Sequence, residues 1–285
     1  MDPRLEERHF LRPSVVYARG RVPVEAAFVA RPNRFVAIVR LSCDVEHAYG
    51  LDRAGAEITA HVADPGRLEE LLMPGAKVYV LPAFPKGMDK MDYSPTLAGV
   101  GRKTLYDLVL VDYEGILVSI DSRVPNELVH RALQAGFFPE LAEYHRIVRE
   151  SVFGSSRFDF HLSAPGQVIG TQAAILDENI SDCFVEVKSV TLVEDGLAKF
   201  PDAPTARGAR HMRELAQAVS AGLRGVVIFV IQRNDASNFT PNRAMDPKFA
   251  GALSDSVEAG VEVWAWRCDV GLDRISLDAE VPVNI

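Results

Sequence analysis

Residues 183–190 read Cys-Phe-Val-Glu-Val-Lys-Ser-Val, an apolar run that carries two charges. Side chains alternate along a strand, so Glu186 and Lys188 share one face. A core strand tolerates an acid beside a base only where they are paired or hold a metal. Upstream, Arg157-Phe158-Asp159-Phe160-His161-Leu162 sets an acid between two phenylalanines in the same way. The two segments point to a sheet whose buried interior includes a polar site. Two carboxylates suit a divalent cation, and a lysine next to them suits an attacking water.

An Asp on one strand followed by Glu-x-Lys on the next is the pattern of the PD-(D/E)xK nuclease core. Glu-x-Lys alone is weak, because a second acid-x-Lys, Asp246-Pro247-Lys248, occurs in the same chain. Pro247 excludes a central strand there and predicts a turn or a helix start. For Glu186 and Lys188 the competing reading is a polar edge-strand face or a local ion pair. Asp159, isolated in its own apolar strand, favours the site.

The 285 residues allow one large or two ordinary domains, and 48% apolar with 25% charged residues is the composition of a folded soluble protein. No stretch has the apolar length needed to cross a bilayer. The opening Met1-Asp2-Pro3-Arg4-Leu5-Glu6-Glu7-Arg8 lacks the apolar core of a signal peptide. Cys43, Cys183 and Cys268 are odd in number and far apart, which predicts free thiols in a reducing cytoplasm. The net charge is −8, and it is uneven: residues 1–120 carry 15 basic and 16 acidic side chains, residues 121–285 carry 16 and 23. Phosphate binding would therefore depend on local clusters such as Arg31 with Arg34, Arg102 with Lys103, and Arg207 with Arg210 and Arg213. Any one cluster taken alone reads first as solvated surface.

The pattern along the chain divides near residue 120. Residues 1–20 form a charged extension that packs loosely or pairs with the first strand. Strands are predicted over 35–41, 57–62 and 77–81, with a short helix at 67–72 and a Pro-, Gly- and Met-rich loop at 82–101. A hairpin over 106–113 and 116–120 turns at Glu114-Gly115. Short strands around one small helix suit an OB-fold-like barrel over 1–120. Residues 121–285 alternate instead: helix 126–134, strands 157–162 and 183–190, helix 207–221, strand 226–231, helix 247–259 and strand 261–266, which closes the sheet. The unbroken apolar run Val226–Ile231 belongs at the centre of a sheet covered on both faces. The fold class is thus α/β with a β-barrel, the second domain having a mixed central sheet.

Three segments carry a resemblance to a known family. They are Ser156-Arg157-Phe158-Asp159-Phe160, then Val185-Glu186-Val187-Lys188-Ser189-Val190-Thr191-Leu192, then Phe200-Pro201-Asp202-Ala203-Pro204-Thr205-Ala206-Arg207-Gly208 with His211, Arg213, Glu214 and Leu215. Along nearly its whole length the chain resembles the sugar fermentation stimulation protein A (SfsA) family. That resemblance implies an N-terminal OB-fold joined to a PD-(D/E)xK nuclease-like domain, and DNA as partner, single- or double-stranded. The lack of a bilayer-length apolar stretch predicts no membrane partner; a homodimer is compatible with the sequence. Mapped by motif, Asp159 and Glu186 would bind Mg²⁺ or Mn²⁺, the Val187 carbonyl would be a further ligand, and Lys188 would serve the attacking water. Glu150 matches an acidic family position and is a candidate third carboxylate, with a surface Glu at a helix end as the alternative. Gln232, at a strand end, is a possible auxiliary group or simply solvated. Candidate DNA contacts are Arg34, Arg67, Arg102, Lys103, Arg157, Arg207, Arg210 and His211, the last standing four residues from Arg207 on one helix face.

The chain departs from the family at three places. Arg131 stands where several members carry a helix Glu, Asp64-Pro65-Gly66-Arg67 replaces an Asn-Thr-Gly version of the barrel loop, and about 163–182 is an insertion. The implied function is a DNA-binding protein with a divalent-metal-dependent nuclease core. A non-catalytic DNA-binding regulator linked to sugar metabolism genes is the alternative. A metal enzyme acting on a small phosphorylated or sugar substrate has no phosphate-cradling Gly-rich loop to support it. Helix 207–221 leads into a strand and not into a short turn and a basic recognition helix, which argues against a helix-turn-helix.

Overall fold

The computed structural model describes residues 12–47, 50–83, 104–164 and 180–285. Part of the charged extension, Arg102, Lys103, most of the Pro-rich loop and most of the insertion lie outside the described residues.

A first strand, β1 (Val16–Ala18), precedes the barrel but does not join it. It pairs antiparallel with the last strand of the chain, β18 (Arg274–Glu280). Residues 16–18 of the extension are therefore paired with the second sheet and not with the first barrel strand.

The barrel uses β2 (Val24–Asn33), β3 (Val36–Leu41), β6 (Glu57–Val62), β7 (Lys77–Pro82) and β8 (Tyr106–Tyr113), with a small hairpin, β4 (Val45–His47) and β5 (Gly50–Asp52), between β3 and β6. Its order is β6-β3-β2-β7-β8, with β9 (Ile116–Ser119) appended to β8. A parallel pairing of Ala60 with Tyr106 closes β6 onto β8 and makes five strands a closed barrel. Ala37, Val39, Ala60, Val62, Val78, Val80, Leu108 and Val111 fill its interior. The expected helix at 67–72 is a turn. Leu68 has φ +51° in the left-handed region, so only its carbonyl, accepting from Leu71 and Leu72, completes a helix-like loop.

Helix α1 (Val124–Gln134) leads from the barrel into the second domain. There follow β10 (Arg146–Phe153), β11 (Ser156–Ser163), β12 (Cys183–Val190), the short β13 (Val193–Glu194) and β14 (Leu197–Phe200), then α2 (Ala206–Ser220), β15 (Arg224–Ile231), β16 (Asn238–Pro241), α3 (Pro247–Glu258) and β17 (Glu262–Val270). The main sheet runs β1-β18-β17-β15-β12-β11-β10, with β12, β15 and β17 parallel and the remaining pairs antiparallel. It is mixed, and β15 is its middle strand, as the apolar run predicted. The strand ending near Trp266 does not close the sheet, because β18 and β1 lie beyond it.

Alternation on β15 shows why both faces are covered. Val226, Ile228 and Val230 pack in the core under α1, while Val227, Phe229 and Ile231 pack under α2 and α3. The α1 core also takes in Tyr79, Val109 and Leu110, so the barrel shares it. The second acid-x-Lys proves to be a helix start. Asp246 caps α3 by accepting from the Lys248 and Phe249 amides, and it also accepts from the Thr205 amide at 2.7 Å, which ties it to the Thr205 cap of α2.

Candidate functional site

The β11–β12 ladder registers only Phe160 to Leu162 against Val185 to Cys183. Beyond it the strands part at Asp159. The Val187 amide donates to Asp159 Oδ2 at 2.8 Å, so a carboxylate occupies the place of a ladder carbonyl. The Asn126 amide of α1 donates to Asp159 Oδ1 at 2.6 Å and fixes the other oxygen. Burial, reinforced by the neighbouring Glu186 charge and opposed by the Val187 amide, raises the Asp159 carboxyl to about 6.

Glu186 is 3% exposed. Its Oε1 accepts from Lys188 Nζ and from His211 Nδ1, the latter at 2.5 Å. Burial alone would raise its pKa; Lys188 and His211 outweigh that and hold the carboxylate below the ordinary range. Its Oε2 is buried without any hydrogen-bond partner. An ionised, buried oxygen left without a donor is costly, and it is the atom a cation would satisfy. Among the described residues no three Asp, Glu, His or Cys side chains converge as metal ligands. The protein side of the site is thus Glu186 with Asp159. That suits a hard cation such as Mg²⁺, which takes one or two carboxylates and keeps several waters.

These groups face a cleft of about 810 Å³ between barrel and sheet. The barrel contributes Arg31, Asn33, Arg34 and the loop Asp64–Arg67; the second domain contributes Asn126, Asp159, Glu186 to Ser189 and the loop Phe200–Arg207. Arg34, Arg67 and Arg207 are exposed here, with no carboxylate partner among the described residues. Arg31 has a different task. It donates to the carbonyls of Arg67, Arg34 and Asp64 and so binds the hairpin to the loop. Gly66 is a point of close approach between the two domains: a Cβ there would meet Asp202, with Asp64 Oδ1 at 2.8 Å. Burial, opposed by the Gly66 amide, raises Asp64 to about 6 as well.

The structure brings Asp159, Glu186, Val187, Lys188, Arg34, Arg67 and Arg207 to one cleft. It does not bring Glu150 there. That residue lies on β10, not at a helix end, and its side chain is 64% exposed and paired with Arg157 at 2.8 Å. Glu150 and Arg157 pair with each other on the surface, and neither lines the cleft that holds Asp159 and Glu186. Arg210 is exposed on α2 but does not line the cleft. His211 is 1% exposed, with one ring nitrogen on Glu186 and the other receiving Arg207 Nε at 3.3 Å, which leaves no atom for a phosphate. Gln232 is fully buried, not solvated. Its side-chain amide donates to Ser189 Oγ at 2.9 Å, its backbone carbonyl accepts from the Ser119 backbone amide at 3.0 Å, and it thereby joins barrel to sheet.

Asn126 escaped the sequence reading, for nothing around an Asn early in a helix marks it as a carboxylate holder. Arg131, the departure from the family helix, faces away from the site. It donates to Glu127 and to the Val16 carbonyl, and lies over Tyr17, so it fastens β1.

Fold and site together define a class: an OB barrel joined to a PD-(D/E)xK-like α/β domain, with an acid–acid–lysine set at the cleft between them. Family models agree, the SfsA N-terminal OB domain matching residues 29–120 and the sugar fermentation stimulation protein RE domain matching 123–274. The chain belongs to the sugar fermentation stimulation protein family. A sugar fermentation stimulation protein homolog of Desulforamulus reducens is 42% identical over 262 residues, covering 92% of both chains. One of Moorella thermoacetica is also 42% identical, over 92% of this chain and 97% of that one. Among solved structures, SfsA of Pyrococcus furiosus in complex with Ca²⁺ superposes with a TM-score of 0.73 at 28% identity, covering 96% of this chain and 98% of that one.

Proposed function

We propose that this protein is a divalent-cation-dependent phosphodiesterase that acts on DNA held in the interdomain cleft. The observation that carries the reading is Glu186 Oε2, buried and without a donor beside Asp159. A fold that only bound DNA gains nothing from that arrangement. The Ca²⁺ in the complex of the Pyrococcus furiosus relative supports a divalent cation, and Mg²⁺ or Mn²⁺ is the working ion we assign.

When bound, the cation supplies charge neutralisation and an activated water. The chain's own residues do the rest. Asn126 and the Val187 amide hold the Asp159 oxygens in place. Lys188, anchored on Glu186 at the cleft wall, orients a water and stabilises charge on a phosphate oxygen. Arg34, Arg67 and Arg207 draw the backbone in, which favours binding with little base reading.

The test is incubation of the full chain with labelled single-stranded and duplex DNA in Mg²⁺, Mn²⁺ or EDTA, beside Glu186→Gln and Lys188→Met. Cleavage that needs metal and disappears in both variants is the expected result. Binding without cleavage in every condition would replace this reading with a non-catalytic DNA-binding regulator.

A further inference from the structure

We propose that His211 is a positioning residue: a neutral imidazole that holds Glu186 on one ring nitrogen and Arg207 on the other, so that Arg207 aims its guanidinium at a phosphodiester phosphate beside Glu186. The inference rests on the phosphodiesterase reading and goes beyond it by assigning the group that directs the phosphate contact.

Arg207 lies in the first turn of α2 at the cleft, and His211 lies one turn deeper, against Phe158 and Glu186. Arginine nitrogens only donate, so the His211 Nε2 that faces Arg207 Nε at 3.3 Å accepts. The ring proton is then on Nδ1, which donates to Glu186 Oε1 at 2.5 Å. The tautomer follows from the two neighbours.

Two consequences follow. Both groups on Glu186 Oε1, His211 and Lys188, are donors, so the carboxylate is locked with Oε2 free. Arg207, for its part, is held by an uncharged acceptor. A carboxylate in that place would hold the guanidinium equally well but would spend its charge; a neutral imidazole fixes Nε and leaves the positive fork of terminal donors for a phosphate. No carboxylate among the described residues competes for it. Arg207 suits this task better than a lysine would, since a planar fork anchored at Nε has a direction and an ammonium has none. One buried histidine thus couples the cation's carboxylate to the phosphate's arginine within a single helical turn.

Two binding measurements on the full chain test this. Fluorescence anisotropy with a labelled single-stranded oligonucleotide in EDTA reads the phosphate contact, and calorimetric titration with Ca²⁺ reads the carboxylate. Arg207→Ala and Arg207→Lys should each weaken oligonucleotide binding by about tenfold, the scale of one charged hydrogen bond. His211→Asn keeps an amide donor where Nδ1 stands and has no acceptor at the Nε2 position. It should lose the same factor of about ten for the oligonucleotide, yet hold Ca²⁺ affinity within about threefold. The double variant His211→Asn with Arg207→Ala should bind no more weakly than Arg207→Ala. Wild-type oligonucleotide affinity in His211→Asn, or losses that add in the double variant, would overturn the inference. Should His211→Asn melt early, Arg207→Lys at the exposed position decides: wild-type affinity there means charge alone suffices and the anchor does nothing. A wild-type chain that binds no oligonucleotide brings down the phosphodiesterase reading and this inference with it. A wild type that binds, beside Arg207 and His211 variants that match it, brings down this inference only.

Discussion

Replacing Asp64 with Asn should stabilise the protein at neutral pH and lose that advantage in acid. Asp64 sits under the cleft on the barrel side, 8% exposed, with Asp202 across the domain boundary. Burial raises its carboxyl from 3.8 to about 6. At ~1.36 kcal/mol per unit, the ionised form costs the folded state about 3 kcal/mol. Between those two values the native protein binds more protons than the unfolded chain, so this group makes stability fall as pH rises from about 4 to about 6, and the cost is complete above that window. Asn retains an oxygen to accept from the Gly66 amide, now 2.7 Å away, but gives up attraction to Arg31. The net gain for Asp64→Asn should be about 1–2 kcal/mol at pH 8 and near zero at pH 4.5. Urea unfolding of both proteins at the two pH values measures it, and other acids cancel in the difference. A variant less stable than wild type at pH 8, or a difference independent of pH, would refute the reasoning. On the proposed reading the cleft holds a polyanion, so the variant should bind an oligonucleotide more tightly as well.

Gly66→Ala should lower stability by about 1–3 kcal/mol, because its Cβ would press on Asp202 and Asp64 where the domains meet; thermal unfolding reads this, and an unchanged midpoint would show that the interface yields. Arg233 is 1% exposed and held by Asp235 at 2.6 Å. Asp235→Ala strands that buried charge and should cost about 3 kcal/mol in chemical unfolding. The cleft cations can be told from the surface ones by salt. Arg34→Ala and Arg67→Ala should each reduce the slope of log affinity against log salt for single-stranded DNA by about 0.7, while Arg157→Ala and Arg210→Ala leave it unchanged, since neither residue lines the cleft.

Asp159, Glu186 and Lys188 were legible in the sequence because charge inside an apolar strand has few physical excuses. The central place of Val226–Ile231 was legible for the matching reason, a strand with no polar face. What the sequence concealed were contacts made across long separations. Asn126 holds Asp159 from a helix 33 residues upstream. β1 pairs with the last strand of the chain across the whole molecule. Strand β10 escaped notice since its charges, Arg146, Arg149 and Glu150, belong to an exposed edge where alternation is weak. The apolar Leu68, Leu71 and Leu72 imitated a helix face, but they are buried in the barrel through a turn that a left-handed Leu68 makes. Glu150 was misplaced for a related reason: proximity in sequence to Asp159 says nothing about direction, and its partner is Arg157. The role of His211 required its burial to be seen, because a motif gives a position and only packing tells which atoms remain free.

The most direct test of the account is to locate the cation. Crystals of the full chain soaked in Mn²⁺, with anomalous differences collected near the manganese edge, should show a peak within about 2.0–2.6 Å of Glu186 Oε2 and an Asp159 oxygen, and the peak should vanish in Glu186→Gln. An empty site at saturating Mn²⁺, or a peak held by other residues, would contradict the claim that this buried carboxylate pair is the centre of the protein's chemistry.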